Sequence, residues 1–260
     1  MCGRTHGKLD VKMPSATIEC EICGGTGWRS SSDGSQKGPV VPCECRERDR
    51  AARIMEAAGI PRRYENCDFN NFSCDWAGRK NLSLWAALGA SQKFADDYIP
   101  GNPGGLLFQG PPGVGKTHLL VALLRKFCDR GVNAIFLDYQ ELLRRIQNSY
   151  NSASRTTEYE LLQPVLSTEI VAIDDLGNNR ITEWVEDTVT YVVNHRYSQN
   201  LPTLFSANLS EHSMDGKEGE RTTHPTFEER LGMRVGSRLR EMCRFVKMEG
   251  DDYRRRGGPQ

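Results

Sequence analysis

Apolar residues fall along this chain in two rhythms. Unbroken short runs, LLF at 106–108, AIFL within 133–138 and IVAI at 170–173, predict strands buried on both faces, and PTLFSAN at 202–208 predicts a further short strand. Between them apolar residues recur at helical spacing. Leu84, Leu88 and Phe94 mark a helix over 80–98 that ends before the PGNPG loop, and further helices are predicted from Lys116 onward and over 140–147. Strand and helix in alternation predict an α/β fold with a parallel sheet.

Upstream the pattern changes. RERDRAARIMEAAG at 46–59 predicts a charge-rich helix with a narrow stripe of Ala51, Ala52, Ile54, Met55 and Ala58, stopped by Gly59. IPRRYENCDFNNF at 60–72 reads as an irregular connector pinned by its aromatic residues, and the first residues carry no periodic pattern. The predicted organisation is a tail at 1–18, a small cysteine module with its helix at 19–58, a connector at 59–78 and the α/β domain at 79–260.

Chemistry enters at GPPGVGKT, 110–117, which satisfies the phosphate-loop pattern G-x-x-x-x-G-K-S/T between a strand and a helix. Gly110, Pro111, Pro112, Gly113, Val114 and Gly115 form a turn tight enough to aim several N–H groups at one phosphate, and the helix start adds partial positive charge. Lys116 can reach the β and γ phosphates of a bound nucleotide, the Thr117 hydroxyl can ligate Mg²⁺, and His118 follows within the same segment. IVAIDD at 170–175 delivers Asp174 to the edge of the sheet where ligands collect, as a Mg²⁺ ligand, with Asp175 placed as a base or water-orienting carboxylate. The plainer reading of Asp174 is a cap on the next turn. Asn208 ends its strand either as a turn former or as an amide for a γ-phosphate or attacking water.

Composition narrows the rest. Over 260 residues, 34 Lys and Arg balance 34 Asp and Glu, so no global field draws the chain to nucleic acid or membrane, and local patches must supply any such binding. No apolar run has the length of a membrane span and the start MCGRTHGKLD lacks a signal-peptide core, so the expected compartment is the cytoplasm. Of nine cysteines, Cys20 and Cys23 form a knuckle pair followed by glycines, and Cys43 and Cys45 can complete a four-thiolate site for structural Zn²⁺, although the second pair is C-x-C. Redox thiols are the competing reading. Cys2, Cys67, Cys74, Cys128 and Cys243 are expected to stay reduced.

Together CEICGGTGW, PCEC, IPRRY, GPPGVGKT, AIDDLG, PTLFSAN and RVGSRLREMCRFVKMEGDDYR resemble the AAA+ ATPases, in detail the DnaC/DnaI-type replicative helicase loaders and the related IstB-like transposition ATPases. The resemblance implies ATP, Mg²⁺ and Zn²⁺ as cofactors, and partners comprising a replicative hexameric helicase, single-stranded DNA and further copies of the chain in a ring or spiral. It implies sensor 1 at Asn208, an arginine finger at Arg238 and sensor 2 at Arg254. A solvated or ion-paired surface arginine is the plainer reading of Arg238 and Arg254. It also places DNA on the helix bearing Arg144 and Arg145, near Tyr150, whose plainer reading is a solvated face. Many AAA+ proteins carry Glu where Asp175 stands. The shorter side chain implies slow hydrolysis, suited to a switch. A transposition helper acting on duplex DNA, and a nucleotide-dependent adaptor without turnover, remain alternatives.

Overall fold

A computed structural model describes residues 20–24, 26–30, 39–76, 79–101, 103–150, 157–178, 182–209 and 226–256. The predicted tail at 1–18 and Cys2 lie outside these. By its contacts the chain divides after Arg50 into two units. That division falls inside the first helix, upstream of the connector where the sequence pattern changes.

In the first unit β1 (Trp28–Ser30) pairs antiparallel with β2 (Val40–Pro42), and α1 (Glu44–Ala57) starts directly after. Three-residue strands bury little, so cohesion comes from turns around the cysteines. The amides of Cys23 and Gly24 donate to Cys20 O, and Cys43 N donates to Gly27 O. The Arg46 guanidinium lies 4.5 Å over the Trp28 ring.

The second unit opens with 3₁₀ turns at Arg62–Tyr64 and Phe69–Asn71, then the short pair β3 (Asp75–Trp76) and β4 (Arg79–Lys80). Next come α2 (Leu82–Asp96), β5 (Gly105–Gln109), α3 (Lys116–Asp129), β6 (Ala134–Asp138), α4 (Tyr139–Ser149) and α5 (Glu158–Ser167). The unit closes with β7 (Ile170–Leu176), α6 (Glu183–Ser198), β8 (Thr203–Ala207), α7 (Phe227–Met242) and β9 (Cys243–Lys247). Five strands form one parallel sheet in the order β6-β7-β8-β5-β9.

Side chains alternate across that sheet with period two. Leu106, Phe108, Ala172, Leu204 and Val246 pack with α2 and α3, whereas Leu107, Val171, Ile173 and Phe205 pack with α4 to α7. The result is a three-layer α/β/α arrangement in which the central strands β7, β8 and β5 are covered on both faces and the edge strands β6 and β9 in part. Asn81 caps α2, accepting from the amides of Ser83 and Leu84, and Thr157–Glu160 and Thr226–Glu229 are capping boxes for α5 and α7. Among the described residues no helix is long and apolar enough to cross a membrane.

One buried cation holds the sheet at its N-terminal edge. Arg196 of α6 is 1% exposed and donates to Thr203 Oγ1 and to the carbonyls of Val165, Thr168, Glu169 and Pro202. Burial pulls its pKa down to about 10. Five acceptors offset the desolvation of the guanidinium, and they join the entries of β7 and β8.

Candidate nucleotide site

The phosphate loop lies at the C-terminal end of β5, where the strand hands the chain to α3. Gly113 and Gly115 carry φ of 79° and 105°, the left-handed region that glycine enters without a Cβ penalty. Both are also pressed from outside. A Cβ on Gly113 would stand 1.8 Å from Asp252 Oδ1, and one on Gly115 would stand 2.7 Å from the Phe72 ring. Gly115 is the N-cap of α3 and no side chain caps that end, which leaves the first helical amides available to an anion.

Lys116 is 6% exposed, and its ammonium donates to Gly110 O (2.8 Å), Pro111 O (2.8 Å) and Asn208 Oδ1 (2.7 Å). Burial pulls its pKa down to about 8, opposed by Asp175 and Asp174 and assisted by the charge of Arg254. Thr117 Oγ1 lies 3.0 Å from each oxygen of Asp174. A hydroxyl and a carboxylate sharing one spot are hard oxygen donors, a set that fits Mg²⁺. Burial raises the Asp174 pKa to about 6; hydrogen bonds from Ser206 and Thr117 oppose the rise, and Asp175 and Asp138 reinforce it. Asp138 is there because β6 pairs with β7 in a register that sets it opposite Asp174.

Asp175 adopts φ 54°, a left-handed conformation costing a non-glycine residue roughly 1 kcal/mol or more. Its amide donates to Ser206 Oγ (2.9 Å), and its Oδ1 accepts from Asn208 Nδ2 (3.2 Å). Lys116, Asn208, Asp175, Ser206, Asp174 and Thr117 thus form one connected chain of hydrogen bonds linking the start of α3 to β7 and the end of β8. Sequence reading placed five of these six residues and missed Ser206. The available signal was a polar residue in an apolar strand, two positions before Asn208 and therefore on the same face.

Other predicted positions lie further out. His118 follows Lys116 by two residues, a helical rotation of about 200°, so its ring leaves the loop for the connector. There Nε2–H donates to Asp68 O (2.9 Å) and the ring meets Phe72 edge-on. Arg254 stays close enough for its charge to act on Lys116. Its own amide donates to Asp252 Oδ1, and Tyr253 N donates to Gly113 O. Arg238 is half-buried on α7, its guanidinium 4.9 Å over the ring of Tyr197, whose hydroxyl donates to Glu241. Among the described residues Arg238 shares no hydrogen bond with the Lys116 and Asp174 cluster.

The family described as IstB-like ATP binding protein matches residues 44–258. The chain belongs to that family. It is similar to the replicative helicase loader DnaC of Buchnera aphidicola subsp. Acyrthosiphon pisum (strain APS), with 26% identity over 202 residues covering 78% of this chain and 75% of the relative. To DnaC of Escherichia coli (strain K12) it is 24% identical over 224 residues, 85% of this chain and 84% of that protein. The crystal structure of the DnaC helicase loader superposes with a TM-score of 0.59 and 26% identity, over 73% of this chain and 100% of that chain. The DnaI crystal structure, at 22% identity and a TM-score of 0.58 over 76% and 98%, shares the fold.

The remaining residues singled out in the sequence are the cysteines and the basic residues of α4. The Sγ atoms of Cys20, Cys23, Cys43 and Cys45 lie within 4.8 Å of one another, with Cys20–Cys43 at 3.7 Å and Cys23–Cys45 at 3.5 Å. Tetrahedral Zn²⁺ with bonds of about 2.3 Å needs sulfurs about 3.8 Å apart, so the donor set fits. Cys20, Cys23 and Cys43 precede the family match. Cys67, Cys74, Cys128 and Cys243 are free and buried, and burial raises each thiol, Cys128 to about 11. On α4, Arg144 and Arg145 are exposed and both pair with Glu141, at 3.9 and 3.4 Å. Tyr150 meets Trp184 edge-on and accepts from its indole N–H (3.1 Å). Gln140 ties α4 to the loop after β7 through Asn178 O.

Proposed function

We propose that this chain is an ATP-dependent loader for a replicative helicase, in which nucleotide state governs self-association and grip on single-stranded DNA. The observation that carries the ATP part is the connected cluster of Lys116, Thr117, Asp174, Asp175 and Asn208 at one end of the sheet. The helicase part rests on relatives named as helicase loaders.

In this reading the loop amides and the start of α3 receive the phosphates, and Lys116 gives up one of its three acceptors for the terminal group. Thr117 and Asp174 hold Mg²⁺, which when bound neutralises charge on the phosphate oxygens. Asp175 orients water and Asn208 senses the terminal phosphate. Arg254 approaches the same phosphates, and the loop residues Gly110, Pro111, Pro112, Gly113, Val114 and Gly115 wall the pocket. His118 acts indirectly, fastening the connector to α3. Arg238 serves an adjoining subunit, which makes hydrolysis depend on assembly. Arg144 and Arg145 exchange Glu141 for DNA phosphates, a small loss because exposed ion pairs are worth only tenths of a kcal/mol, and Tyr150 offers a stacking face. The four thiolates hold a structural Zn²⁺ in the unit that engages the helicase.

The test is a pull-down with a hexameric replicative helicase, with and without ATP, beside turnover and DNA binding. ATP-dependent retention of the helicase supports the loader; no retention together with no ATP-dependent DNA binding sinks it. The family's IstB-like description favours one second reading, a transposition helper, which predicts preference for duplex over single-stranded DNA. Absence of turnover that depends on Lys116 would leave the adaptor.

A further inference from the structure

The two acids of β7 face a single residue of β8. Pairing runs Ile173 with Phe205 and resumes at Leu176 with Ala207, so two residues of β7, Asp174 and Asp175, oppose Ser206 alone. This is a β-bulge, and bulges re-aim side chains. Ser206 is 0% exposed and its hydroxyl is used twice: the O–H donates to Asp174 Oδ1 and the oxygen accepts from Asp175 N. The hydroxyl has one proton, so these two bonds assign it a direction. Two residues on, the same strand presents Asn208 to the Asp175 carboxylate.

We infer that Ser206 is a positioning residue that sets the metal-binding carboxylate of Asp174 and the left-handed backbone of Asp175 from one atom. The inference rests on the nucleotide reading above. Its physical content is that Oδ1 of Asp174 is shared between Ser206 and Thr117, whereas Oδ2 accepts from Thr117 alone among the described contacts, so the hydroxyl fixes which oxygen is the more available to a metal. The same atom holds Asp175 in a conformation that its own side chain disfavours. Packing alone would be served by any small side chain at this buried position, whereas this role needs a donor and an acceptor together.

The experiment compares wild type, Ser206→Ala, Ser206→Thr and Lys116→Ala by binding of a fluorescent ATP analogue across a Mg²⁺ titration, with turnover and melting measured in parallel. For Ser206→Ala we expect nucleotide affinity without Mg²⁺ within twofold of wild type, a several-fold higher Mg²⁺ requirement and kcat at least tenfold lower with KM little changed. Thr restores the hydroxyl and should return both quantities to within about threefold. Should the Ala variant melt below the assay temperature, Ser206→Cys, a weaker donor of similar shape, is expected to show the same Mg²⁺ and kcat effects in smaller measure. Wild-type Mg²⁺ dependence and kcat in a folded Ala or Cys variant would overturn the role of Ser206 while leaving the nucleotide site standing. A folded Thr variant as impaired as Ala would also overturn it. Wild-type protein that binds no nucleotide, or binds it equally in Lys116→Ala, would overturn both.

Discussion

The two units of this protein solve the same problem, holding reactive groups at fixed separations, with different materials. In the first, Cys20, Cys43 and Cys45 are buried while Ile22, Trp28 and Val40 stay exposed, and the described strands are three residues long. Its buried cluster is made of sulfur. In the second, charged groups are embedded in a covered sheet: Lys116 and Asp174 are buried among backbone acceptors and hydroxyls, with apolar clusters on both faces. A segment too small for a core can be ordered by one ion, whereas a core can order groups that it penalises electrostatically. The first unit should therefore fail all at once, and the second should tolerate loss of its functional groups.

The sharpest break is at the sulfurs. Cys20→Ser should reduce bound zinc from about one ion per chain to none and unfold the first unit, since such sites contribute on the order of 10 kcal/mol. Nucleotide affinity should stay within about twofold. Metal analysis with nucleotide titration reads both, and a concomitant collapse of nucleotide binding would end the comparison. Lys116→Ala should do the converse, lowering nucleotide affinity by at least about a hundredfold, as expected when a buried charge-assisted contact is removed, with zinc content and the melting of the first unit unchanged.

A third test uses the electrostatic penalty. The Asp174 pKa is raised from 3.8 to about 6, so the stability associated with its neutral form is fully present below pH 4 and lost as pH rises through 6. Asp174→Asn should therefore melt higher than wild type at pH 7.5, by on the order of 3 kcal/mol, and the gap should close toward pH 4. A gap independent of pH would contradict the burial argument. The smallest effect is on affinity. Lys116, lowered from 10.5 to about 8, loses its charge above pH 8, so Mg²⁺-nucleotide affinity should peak between pH 6 and 8 and decline by up to roughly tenfold per unit beyond. Calorimetric titration across that range checks it.

What could be read from the sequence was whatever chemistry a residue type announces by itself. Glycines around a lysine and threonine, acids ending an apolar run and paired cysteines each restrict their own surroundings. α5 was hidden because Pro164 sits inside it, and α6 because its buried residues are largely valine, whose preference runs toward strands. β9 escaped because it is an edge strand with Arg244 and Lys247 exposed. Within the site, Ser206 depends on a bulge, and the approach of Asp252 to Gly113 depends on how distant segments meet. Spacing puts Ser206 on the face of Asn208 but announces neither the bulge nor that approach.

Arg196 has a consequence at a distance from where it sits. By hydrogen-bonding to the starts of two neighbouring strands, it opposes the sliding of one along the other. The surplus residue of β7 is taken up toward the opposite rim, where Asp175 leaves extended geometry. Two strands in regular register at one border and bulged at the other set a pair of acids beside one hydroxyl.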